Sequence, residues 1–116
     1  MRKLLEDLIF IGVVKETYKV FGKSWTLKTL TADENLQAIT STRSYDDLSR
    51  SNAVKIAALA RSIVEVDNVE LTDLNEKIEF LGKAQQPLID MLYEKFGELQ
   101  NSQEESLKDL EESVKK

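Results

Sequence analysis

The chain has 116 residues, enough for one domain that buries roughly two-thirds of its unfolded surface. Apolar residues at 41% and charged residues at 32% exclude a wholly disordered or membrane-embedded chain, and the absence of Cys and His excludes disulfides, thiolate nucleophiles, Cys/His zinc sites and imidazole acid–base schemes. With 16 basic and 21 acidic side chains the net charge is −5, a sign that repels nucleic-acid phosphates.

The opening Met-Arg-Lys-Leu-Leu has the charge of a secretory signal, but Glu6 and Asp7 interrupt it before the short apolar run at 8–14. No run approaches the roughly 20 apolar residues of a membrane span, so the expected location is the cytoplasm or a particle, with no membrane partner. The first 30 residues are mildly basic, through Arg2, Lys3, Lys15, Lys19, Lys23 and Lys28. These cations are not interleaved with a stacking platform, so no nucleic-acid partner is expected.

In chain order, Leu4, Leu8 and Ile11 predict a helix over 2–12 that ends at Gly12. A β-hairpin is expected over about 13–30, with Gly22-Lys23 as a type II′ turn that sets Val20 opposite Trp25 and Tyr18 opposite Leu27. Those four residues share one face; Thr17, Lys19, Thr26 and Lys28 share the other. Thr31 and Glu34 have capping-box spacing and predict a short helix to about Thr40.

Ser44 with Asp47 repeats that device before a central helix whose stripe is Tyr45, Leu48, Asn52, Ile56, Leu59 and Ile63. Its shoulder, Ala53, Ala57 and Ala60, is small enough for a neighbouring helix to approach closely. Alternation around Asp67-Asn68 predicts a second, very short hairpin. Thr72 is the expected cap of a further helix carrying Leu74, Ile78 and Leu81, weakened at Gly82.

Pro87 suits the first turn of the last helix, where Ile89, Leu92, Phe96 and Leu99 form a stripe. Gln103 interrupts it, and Leu107, Leu110 and Val114 resume it on a charged segment. The expected architecture is therefore α+β and mainly α-helical. An N-terminal helix and an antiparallel hairpin pack on a helical bundle, forming one domain over 1–100, and a charged helical extension covers 101–116.

No catalytic, cofactor or metal site emerges. Asp46 and Asp47, Asp33 and Glu34, and Glu94 and Glu98 fit capping or solvated helix faces at least as well as acid–base pairs. The acidic stretch from Asp67 to Asp73 lacks the pattern of a calcium loop. Ser24 and Ser62 have no evident desolvated lysine beside them, and Gly12, Gly22, Gly82 and Gly97 stand too far apart for a phosphate loop. Arg50 and Arg61 share a helix face that could meet a carboxylate-bearing partner. Trp25 is read either as the lid of the core or as an exposed anchor. The residues assigned to partner binding are Leu107, Leu110, Val114 and Trp25.

The segment Trp25-Thr-Leu-Lys-Thr-Leu-Thr-Ala-Asp-Glu34, the later Ala60-Arg-Ser-Ile-Val-Glu-Val and Glu79-Phe-Leu-Gly-Lys, and the charged helix from Pro87 resemble the small tail-assembly chaperones and related tail proteins of tailed bacteriophages. The resemblance spans roughly residues 18–112. It implies a non-enzymatic assembly or virion structural role, with the tape-measure, tube or baseplate-hub proteins as partners, in the host cytoplasm during assembly or in the virion tail. A homo-oligomer is compatible with it. The rival expectations are a host cytoplasmic adaptor that docks helices and, at a distance, a small hydrolase.

Overall fold

The computed structural model of the chain describes the backbone of residues 14–115 and, within them, the side chains other than those at 48, 106 and 109–115. The helix expected over 2–12, with its end at Gly12, lies outside the described residues. Strand β1 (Lys15–Val20) pairs antiparallel with β2 (Lys23–Lys28). The turn between them is Phe21-Gly22, with φ of 49° and 81°, the type I′ pattern. This corrects the expected Gly22-Lys23 turn: Tyr18 lies opposite Trp25, and Val20 opposite Lys23.

The pairing differs from the expected one by two residues, an even step, so the faces are unchanged. Val20, Trp25 and Leu27 are buried, while Thr17 and Thr26 share a 2.8 Å hydroxyl hydrogen bond on the other face. The observed register also lets the Trp25 indole N–H donate to the Val20 carbonyl at 3.2 Å.

Helix α1 (Ala32–Thr40) starts with the expected reciprocal capping box. The Glu34 N–H donates to Thr31 Oγ1 at 3.1 Å, and the Thr31 N–H donates to Glu34 Oε1 at 3.0 Å. Helix α2 (Asp47–Ser62) is capped by Asp46, which accepts from the Ser49 N–H at 2.8 Å, in place of the expected Ser44. Strand β3 (Ile63–Val66) leaves α2 with no intervening loop, and β4 (Val69–Glu70) returns after Asp67-Asn68, both at positive φ. Helix α3 (Leu74–Lys83) is capped by Asp73, one residue after the expected Thr72. Helix α4 (Gln86–Lys115) has Pro87 in its first turn and spans about 45 Å at 1.5 Å per residue.

The second hairpin does not stand apart. Strand β3 pairs with β2, Trp25 opposite Val66, and a bulge at Val64 separates the Thr26 and Leu27 pairings. The result is one antiparallel sheet in the order β1-β2-β3-β4, where a single hairpin was expected on the bundle. The overall class is the expected one, α+β and mainly helical. The core joins Val20, Trp25, Leu27 and Ile63 of the sheet to Leu59 of α2, Leu81 of α3 and the α4 stripe Ile89, Leu92, Phe96 and Leu99. The alanine shoulder of α2 contributes Ala57 and Ala60, both buried.

Candidate functional site

Several of the candidate reactive groups are held by structural bonds. Ser62 is fully buried and its hydroxyl donates to the Lys28 carbonyl at 2.7 Å. Lys77 donates to the Ile63 carbonyl at 3.0 Å; burial, and then the neighbouring Lys28 ammonium, hold its pKa below the usual lysine value against the opposing pull of Glu34. The Glu34 carboxylate is raised by burial, yet the Thr31 N–H and the Lys28 ammonium at 3.1 Å outweigh that and leave it below the usual carboxylate range. Asp46 and Asp73 are helix caps, and Asp33 accepts from Gln37 at 3.1 Å. Among the described residues no cluster of three or more acidic groups could hold a metal ion. Arg61 turns back on its own helix to the Ala57 carbonyl at 3.0 Å, leaving its buried Nε without a hydrogen-bond partner.

Asp67 ties the two hairpin tips together. Its Oδ1 accepts from the Ser24 N–H at 2.7 Å and its Oδ2 from Lys23 Nζ at 3.3 Å. The Ser24 N–H is the larger cause of a pKa held below the usual aspartate value, with Lys23 acting in the same direction and desolvation opposing. Because the folded pKa is depressed, its stabilising contribution is complete above the ordinary value of 3.8 and is lost as pH falls from there through the folded value. We expect the thermal midpoint of Asp67→Asn to vary less than that of the wild type between pH 5 and pH 2. Parallel pH profiles for the two proteins would remove Asp67 from this role.

Trp25 is 3% exposed and stacks on Phe80 with ring centroids 6.2 Å apart, so of its two readings the core lid is the one observed, and the exposed anchor is corrected. While Leu36, Ile39 and Tyr45 are exposed elsewhere, on α1 and just before α2, three exposed apolar groups lie around Trp25: Phe21, Val69 and Phe80 are 66%, 61% and 48% exposed. They border two adjoining concavities. One, of about 480 Å³, lies over Trp25 and is edged by Phe21, Val69 and Phe80. The other, of about 420 Å³, lies between β4 and α3 and again includes Val66, Val69 and Phe80. The sequence carries one clue to this surface, since Phe21 lies at one turn and Val69 follows the other, but nothing local to them reveals that the two tips lie side by side.

The remaining expected partner residues belong to the far end of α4. Leu99 is fully buried, whereas Leu107, two turns on, is 39% exposed. The backbone stays helical through Lys115, which places 107, 110 and 114 at helical spacing. The side chains of Leu110 and Val114 lie outside the described ones. The structure thus places Trp25 in the core. Among the described residues no helix is long and apolar enough to cross a membrane. Set against protein-family models, curated proteins and solved structures, the chain matches none of them.

Proposed function

We propose that the chain is a non-enzymatic protein that works through protein–protein contact, as a tail-assembly chaperone or a small tail or baseplate-hub subunit of a tailed bacteriophage. One observation carries the contact reading: α4 continues for four turns beyond Leu99, the last buried residue among the described ones, and Leu107 is exposed there. An apolar strip at helical spacing on an otherwise charged segment fits the groove of a helical partner, which would bury the exposed Leu107. The phage assignment draws on the resemblance of residues 18–112, and the partners it names are the tape-measure, tube or hub proteins. The structural bonds of Ser62, Lys77 and Glu34 weigh against the hydrolase alternative.

The test is recovery of the tagged full chain from infected cells, with purified particles analysed in parallel. The wild type is expected to retain a tail protein, and the variant carrying Leu107→Lys, Leu110→Lys and Val114→Lys to lose at least about nine-tenths of it, since charge replaces the apolar contact. The variant's thermal midpoint should stay within about 2 °C of the wild type if the arm lies outside the core, as surface substitutions contribute little to stability. Presence in particles assigns a structural subunit, and absence a chaperone. Undiminished recovery overturns the arm as the contact surface, and recovery of a host protein without infection replaces the phage role by the adaptor.

A further inference from the structure

We infer that the groove between β4 and α3 is a second docking surface, and that its occupant is an extended partner segment alternating apolar and basic residues, added to the sheet as a fifth strand. Among the described residues, strand β4 ends the sheet. Val69 pairs with Val66, and the Leu71 N–H donates to the Val64 carbonyl at 2.9 Å. In an antiparallel ladder that alternation turns the N–H and carbonyl of Glu70 outward, toward an incoming strand. Beside this edge Val69 and Phe80 present an apolar wall, continuous with Phe21 across the notch above Trp25.

Phe21 is the observation least explained by the monomer. A type I′ turn favours Asn or Gly at this position, and a bulky residue at φ 49° is strained. Its ring is two-thirds exposed, so the core gains little from keeping it. The charge of the edge identifies the occupant. Glu65 and Glu70 stand directly opposite each other across β3 and β4, a like-charge pair that weakens the hairpin until a cation neutralises it. Asp73 and Glu76 continue the acidic lining, while the Lys77 ammonium is engaged with the Ile63 carbonyl. A second copy suits this edge poorly: twofold pairing through the outward Glu70 would set two acidic edges against each other.

The probe is a synthetic peptide of about seven residues alternating Lys with Val and Phe, tested against the full chain with its glutamate counterpart as control. Fluorescence of Trp25, the only tryptophan, reports at the site, and anisotropy of labelled peptide gives the affinity. The lysine peptide is expected to bind saturably and about tenfold or more tighter than the glutamate peptide, and to weaken as salt rises. Val69→Lys should reduce its affinity about tenfold while leaving the thermal midpoint near the wild-type value. Phe21→Asn, which suits the turn, should weaken binding several-fold without lowering the midpoint. The arm variant with lysine at 107, 110 and 114 should bind the peptide unchanged, so failure of the proposed function and failure of this surface are separable. No saturable binding, equal binding of the glutamate peptide, or full affinity in both Val69→Lys and Phe21→Asn would overturn the inference. So would a dimer that Val69→Lys dissolves, by assigning the edge to a second copy.

Discussion

Trp25→Ala is expected to lower stability by about 3 to 4 kcal/mol, the range for truncating a buried Trp side chain. The ring lies at the junction of β1, β2, β3 and α3, opposite both Tyr18 and Val66 and stacked on Phe80. Its removal opens a cavity there and also deprives the Val20 carbonyl of its 3.2 Å donor. For a domain of this size the thermal midpoint should fall by on the order of 10 °C. Trp25→Phe, which keeps most of the apolar volume, should fall by much less, through the lost hydrogen bond at about 1 kcal/mol. A Trp25→Ala midpoint equal to the wild type's would contradict the burial of the ring and return it to the surface as an anchor.

Leu99→Ala and Leu107→Ala are expected to differ by about 3 kcal/mol although the two leucines lie on one helix. Leu99 is fully buried, and its truncation leaves a void where α4 meets the rest of the core. Leu107 loses little on truncation because water already reaches it in the folded monomer. Chemical denaturation of both variants measures where the core stops along α4. Equal losses would mean that the segment beyond Leu99 is packed in the monomer, and the docking-arm proposal would then lack its supporting observation.

The two proposed surfaces differ in whether local or long-range structure creates them. The arm is legible because a helical stripe continues past the last core position within one element. The groove is not, because Phe21, Val69 and Phe80 come from three parts of the chain. The expected type II′ turn also had a local basis, since Gly22 can take the first central position; in the observed register Phe21 takes it instead, and the Trp25 indole N–H reaches the Val20 carbonyl.

The capping box of α1, the Asp67-Asn68 hairpin, the buried stripe of α4 and the face assignments of the first hairpin were all determined by sequence alone. Each depends on interactions within a few residues or on a simple period, two in strands and 3.6 in helices. Tertiary structure alone decided that two hairpins merge into one sheet, that Asp67 clamps Ser24 across 43 positions, and that Trp25 is covered while Phe21 beside it is not. Whether an apolar side chain is core or contact depends on which distant segment arrives over it, and neither propensity nor periodicity encodes that arrival.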